Sequence, residues 1–132
     1  MIDRARRLWN SRPVVWGAPF VWMGVIFWLS AQPQLPRVLP VGVELQSVVG
    51  HLAAYFVLAA LWWRPLRRLG LRWAVIGVLL IATLYGISDE LHQATVPNRV
   101  ADIRDVLTDL AGAAIAVTAL WWLQGRRRTQ RD

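Results

Sequence analysis

LRWAVIGVLLIATLYGI (71–87), SDELHQATVPNRVADIRD (88–105) and VLTDLAGAAIAVTALWWL (106–123) follow one another without a break, and this stretch decides the fold. The two flanking runs approach the roughly 20 mostly apolar residues that a helix needs to cross a hydrocarbon core. Between them, four acids, two arginines and a histidine fall within eighteen residues. Inside a bilayer the backbone has no water to bond to, so apolar runs of this length cross as helices. The polar middle then becomes a hairpin joining two spans at one membrane face, turning at TVPNR (95–99).

Two further runs lie upstream. PVVWGAPFVWMGVIFWLSA (13–31) contains Pro19, a kink that packing against neighbours can accommodate, and GVELQSVVGHLAAYFVLAALWW (42–63) has polar first turns. The first run is too long for the apolar core of a secretory signal peptide, and no small-x-small cleavage site precedes the prolines after it. The expected fold is all-α, a four-helix transmembrane bundle with spans at about 13–31, 42–63, 71–90 and 103–123. A basic segment (1–12) precedes this 13–123 membrane domain and a basic tail (124–132) follows it.

The 132 residues suffice for one domain, with 56% apolar residues and nine tryptophans. The absence of cysteine excludes disulfides, thiolate metal sites and cysteine nucleophiles. All fifteen basic residues are arginine, and the net charge is +7. Such a balance can signal nucleic-acid binding, but these arginines border apolar runs, which reads as membrane topology and not as a nucleic-acid surface. Arg4, Arg6, Arg7 and Arg12, then Arg64, Arg67, Arg68 and Arg72, then Arg126, Arg127, Arg128 and Arg131 all fall on one side of a four-span chain. Arginine-rich short loops stay in the cytoplasm, so both termini are expected to be cytoplasmic. Arg37, Arg99 and Arg104 fall on the other side, with Glu44, Asp89, Glu90, Asp102, Asp105 and Asp109 at or just inside it. Trp9, Trp16, Trp62, Trp63, Trp73, Trp121 and Trp122 are expected in one interfacial belt and Trp28 in the other. The first outer connection, QPQLPRVLP (32–40), holds three prolines and cannot be a continuous helix.

An ionisable group within a span is costly and faces a bundle interior or water. On the fourth span Asp105, Asp109, Gly112 and Ala116 form one stripe, acidic at its outer end and small below, which lets another helix approach closely. Asp102 lies about 60° from that stripe and joins it if the helix starts early. On the third span Tyr85, Asp89 and Gln93 share a face with His92 beside it, whereas Glu90 lies about 100° round from Asp89. On the second, His51, Tyr55, Leu58 and Trp62 align, with Glu44 two turns above His51. Packed together, these stripes enclose a polar pocket opening outward. Taken singly, each residue has a structural reading. Asp102 or Asp105 can cap a helix, Asp89 and Glu90 can be a solvated loop edge paired with Arg99 and Arg104, and His51 can be a hydrogen-bonded core histidine. Asp109 lies at least one turn too deep for a cap, and the convergence of the set at one depth favours a functional pocket.

IFWLSAQP (26–33), GHLAAYFVLAAL (50–61) and SDELHQATVPNRVADIRDVLTDLAGAAIA (88–116) resemble the VanZ-like family, which is named for a small membrane protein associated with resistance to the glycopeptide teicoplanin. The most specific element is a DE-x-x-Q, a P-x-R turn, then D-V-x-x-N-x-x-G. The resemblance places the family's polar signature on His51, Asp89, Glu90, Gln93, Arg99, Asp105 and Gly112. Asn98 stands where the turn usually has glycine, and asparagine also tolerates a left-handed conformation. Asp109 stands where asparagine is usual and adds an acid. The resemblance implies a bacterial plasma-membrane protein that alters susceptibility to cell-envelope antibiotics.

Three functions are expected in descending order. The first is recognition of a lipid headgroup, cell-wall precursor or glycopeptide-type antibiotic by His51, Tyr55, Asp89, Glu90, Gln93, Arg99, Asp105 and Asp109, with Arg99 and Arg104 supplying phosphate or carboxylate contacts. The second is an enzyme acting on a lipid-linked substrate, with Asp89, Glu90, His51 and Asp105 as acid–base candidates. In its metal-dependent form, Asp89, Glu90, Asp105 and Asp109 hold a hard divalent cation; no other cofactor is expected. The third is a small transporter or flippase, against which the acids stop at one face.

Overall fold

The computed structural model describes residues 9–33 and 40–129, and among them the regular structure is entirely helical. Helix α1 spans Arg12–Ser30, α2 Val43–Leu66, α3 Leu71–Gln93 and α4 Ile103–Thr129, with a 3-10 turn at Arg67–Leu69 between α2 and α3. All four helices are long and apolar enough to cross a membrane, so the chain is a multi-pass membrane protein.

Local chemistry sets the helix starts. Pro13 stands in the first turn of α1, where its missing N–H costs nothing. Gly70 closes the 3-10 turn at φ 100°, a left-handed conformation that glycine adopts freely, and α3 begins at the next residue. Asp102 is the N-cap of α4, and its Oδ1 accepts the Arg104 backbone N–H at 2.9 Å. In the turn before it, Asn98 takes φ 64°, the left-handed geometry expected of its position.

Three helices overrun the predicted spans. α3 continues past 90 to Gln93, its ladder completed by Ala94 N–H donating to Glu90 O at 3.0 Å. α2 runs through Pro65 to Leu66, and α4 through residues 124–129 of the basic tail. The apolar runs mark where lipid ends, whereas a helix ends where the backbone must turn. For α3 that point comes just before Pro97, since the residue preceding a proline is pushed away from helical geometry. Asp89, Glu90 and Gln93 are therefore helical and inside the bundle, not at a solvated loop edge.

The core pairs bulky residues of α2 with small ones elsewhere. Tyr55, Leu58, Trp62 and Trp63 pack against Ala74, Val78 and Ala82 of α3 and Ala113, Ala116 and Val117 of α4. Close approach replaces hydrophobic force as the source of helix association in lipid. The α2–α4 contact is the tightest: a Cβ placed on Gly112 would lie 2.5 Å from Leu52 O. Trp62 and Trp63 thus leave the expected interfacial belt for the core, while Trp9, Trp16, Trp28, Trp73, Trp121 and Trp122 are exposed as expected.

Helix α1 is tied on by specific bonds. Trp22 Nε1 donates to Ala54 O of α2 at 2.8 Å, and Tyr85 Oη of α3 donates to Met23 O at 2.6 Å. Phe20 meets Trp62 edge-on, and Phe27 stacks on His92 at 4.2 Å between centroids. At the arginine-rich end, Arg64 Nη2 donates to Trp9 O at 2.8 Å and to Asn10 Oδ1 at 3.2 Å. Arg37 and most of the proline-rich connection lie outside the described residues.

Candidate functional site

At the opposite end, α2 and α4 both begin and α3 finishes, and the ionisable side chains of all three meet there. His51 is the hub. It sits in the third turn of α2, and the glycine contact at Gly112 brings the α2 backbone close enough for its ring to reach α4. Nδ1 donates to Asp109 Oδ1 at 2.8 Å, and Nε2 lies 3.7 Å from Asp105 Oδ2 on the next turn outward. The predicted α4 stripe is therefore real, with one imidazole spanning its two acids. Nδ1 is the nitrogen that the bond to Asp109 occupies, leaving Nε2 turned towards Asp105 and the start of α4.

Burial grades along this axis. Asp109 is 0% exposed, whereas the side chains of His51 and Asp105 are 13% and 22% exposed. Asp109 has room because α3 offers a glycine: a Cβ on Gly86 would lie 2.9 Å from Asp109 Oδ2 and 3.6 Å from Tyr55 Cε1. The Tyr55 ring lies tilted against Tyr85 at 6.3 Å. Asp109 and Tyr55 thus form the floor, and Asp105 reaches the surface.

Asp89 and Glu90 are both buried although they point apart, because α3 has neighbours on two sides here. Asp89 Oδ2 accepts from Gln93 Nε2 at 3.1 Å. Glu90 Oε2 accepts the Asp102 backbone N–H at 2.9 Å, fastening the end of α3 to the start of α4. Asp102 itself is exposed; α4 starts too late for it to join the stripe, and its role is the cap. Glu44 is exposed as well and takes no part.

Arg99 does not converge on the acids. Its Nε donates to Gln32 O at 3.1 Å, holding the 94–102 connection against the end of α1. Arg104 is exposed at the rim, and among the described residues neither arginine forms an ion pair. The expected metal set also changes. Among the described residues, the three whose donor atoms lie within 4.8 Å of one another are His51, Glu90 and Asp105; Asp89 and Asp109 of the expected set are not grouped with them.

Several buried acceptors have no partner: Asp89 Oδ1, Glu90 Oε1 and Asp109 Oδ2, together with the Tyr55 hydroxyl. A buried polar group without a partner costs about 1–3 kcal/mol, and more if charged. Three such carboxylate oxygens in one neighbourhood call for donors or cations from outside the chain. Sequence reasoning missed two supports of the site, Gly86 and Gln32. Gly86 carries a signal in hindsight, lying one turn before Glu90 where a side chain would meet the α4 stripe; a backbone acceptor such as Gln32 O carries none.

Compared with known proteins, residues 9–124 match the family model described as VanZ/LLP1. No curated protein and no solved structure matches the chain.

Proposed function

The chain belongs to the VanZ/LLP1 family, and from that premise we propose that it recognises a polar envelope molecule at the outer leaflet of a bacterial plasma membrane. In this reading both termini are cytoplasmic, in keeping with the twelve arginines that the sequence places in the N-terminal segment, the α2–α3 connection and the C-terminal tail. The cluster of His51, Tyr55, Asp89, Glu90, Gln93, Asp105 and Asp109 then faces outward. Its ligand is the head of a lipid, a cell-wall precursor or a glycopeptide-type antibiotic, and binding alters susceptibility to envelope antibiotics.

One observation carries the reading: the unpartnered buried oxygens of Asp89, Glu90 and Asp109. They suit a ligand rich in hydroxyl or ammonium donors, as sugar- and amine-bearing heads are. Arg104, exposed at the rim, suits a phosphate or carboxylate on the same molecule. Arg99 contributes by shaping the rim through Gln32.

The test is antibiotic susceptibility in cells carrying the wild type or a variant at matched membrane abundance. The wild type shifts the inhibitory concentration of at least one envelope-directed drug; His51→Ala and Arg104→Ala reduce that shift. A shift that survives both substitutions overturns the reading.

A second reading, an enzyme acting on a lipid-linked substrate, draws on the His51–Asp109 pair. A buried carboxylate orienting an imidazole whose other nitrogen faces the entrance is an arrangement suited to general-base work. Turnover of a lipid-linked substrate by purified protein, lost in His51→Ala, supports it.

A further inference from the structure

We propose that His51 Nε2, Glu90 Oε1 and Asp105 form a divalent-cation site of the Zn2+ or Mn2+ kind, with its open coordination positions facing the outer leaflet.

The first support is geometric. One donor atom from each residue lies within 4.8 Å of the others. A point equidistant from three such atoms sits within about 2.8 Å of each, and rotamer adjustments of under about 1 Å bring this to metal–ligand lengths near 2.0–2.2 Å. The three ligands come from three helices held close by contacts that use none of them: Gly112 on Leu52 for α2 and α4, and Gly86 against Asp109 for α3 and α4.

The second support is the state of the donor atoms. Glu90 is 5% exposed, and its Oε1 has no hydrogen-bond partner although its Oε2 has one. His51 Nδ1 is held by Asp109 Oδ1, so Nε2 is left to ligate. A carboxylate behind an imidazole fixes the tautomer and raises the basicity of the opposite nitrogen, an arrangement typical of metal-bound histidines. Asp109, fully buried and beyond ligating distance of the set, fits that supporting place.

The third is charge. Glu90, Asp105 and Asp109 surround one imidazole, and Arg99 and Arg104 form no ion pair with them. Even an imidazolium leaves a carboxylate excess within the bundle, which a divalent ion offsets. Mixed imidazole and carboxylate donors favour a borderline cation over Ca2+ or Mg2+, which prefer oxygen alone. With three protein ligands, positions remain for an outside oxygen. That this oxygen belongs to a headgroup phosphate rests on the reading proposed above.

The test uses the full chain in mild detergent, stripped with chelator, then titrated calorimetrically with Zn2+, Mn2+ and Mg2+. We expect one saturable site per chain for Zn2+ or Mn2+, and binding at least tenfold weaker for Mg2+. His51→Ala and Asp105→Asn, each checked for retained helicity and monodispersity, weaken the site at least tenfold. Asp109→Leu weakens it about 10- to 100-fold through loss of the orienting carboxylate. Asp102→Asn, at an exposed acid outside the set, leaves it within twofold. Absence of saturable binding overturns the proposal, as does binding that ignores both His51→Ala and Asp105→Asn. Because binding is read on isolated protein and the proposed function in cells, a bound cation with unaltered drug susceptibility sinks only the latter, and the converse result sinks only the cation site.

Discussion

His51 on α2 donates from Nδ1 to Asp109 Oδ1 on α4 at 2.8 Å, and Asp109 is 0% exposed. The bond couples the most buried acid among the described residues to the imidazole that faces Asp105. If its role is to orient that ring, the acceptor matters more than the charge. Asp109→Asn keeps a carbonyl acceptor and therefore retains part of the drug-susceptibility shift, whereas Asp109→Leu abolishes it. Stability should not follow the same order. Removing a buried charge relieves desolvation while leaving Nδ1 unpaired, so Asp109→Leu stays within about 1–2 kcal/mol of wild type in detergent unfolding.

Gly112 sets how closely α2 and α4 pack. The clash there is with backbone, Leu52 O at 2.5 Å and Leu52 Cα at 3.1 Å, so no side-chain rotation relieves it. Gly112→Ala should cost about 1–3 kcal/mol in SDS unfolding and should lower function by separating His51 from Asp105 and Asp109. Gly24→Ala is the contrasting case. Nothing lies within 4 Å of its would-be Cβ, and the gain in helix propensity leaves stability unchanged or about 0.5–1 kcal/mol higher.

Glu90 fastens α3 to the start of α4 through the Asp102 amide at 2.9 Å. Glu90→Gln retains an acceptor, while Glu90→Ala does not. Hydrogen exchange at residues 99–105 should therefore accelerate in Glu90→Ala and remain close to wild type in Glu90→Gln. Equal acceleration in both variants would show that charge, not the bond, holds the α4 start.

The absence of cysteine makes topology directly measurable. With both termini cytoplasmic, Pro97→Cys is labelled by a membrane-impermeant thiol reagent added to intact spheroplasts, and Leu69→Cys only after lysis. Both positions are exposed. The opposite labelling pattern would invert the bundle and remove the outward-facing site from consideration.

The four-helix architecture was legible because span length and arginine placement are dictated by lipid thickness and insertion, independently of how the helices pack. The α4 stripe was legible for a similar reason: Asp105, Asp109, Gly112 and Ala116 share a face in any helix, whatever its partner. Partnerships across helices were not. Nothing in the spacing of Arg99 reveals that it reaches the carbonyl of Gln32 on α1 instead of an acid. Position at a span end misjudged Trp62 and Trp63, which face the small residues of α3 and α4, whereas periodicity aligns Trp62 with Tyr55 and Leu58. The expected metal set drew on acids of α3 and α4 alone, whereas the donor atoms that lie close together include His51, which the tight α2–α4 contact brings in.

The most direct measurement is of what the protein carries out of the membrane. Native mass spectrometry of wild type and His51→Ala, both extracted from bacterial membranes in mild detergent, reads the bound envelope molecule by mass. We predict that wild type retains a polar lipid-linked species or cell-wall precursor that His51→Ala loses, with bulk phospholipid equal in the two. Identical bound species in wild type and His51→Ala would contradict the claim that the cluster around His51 is a recognition site.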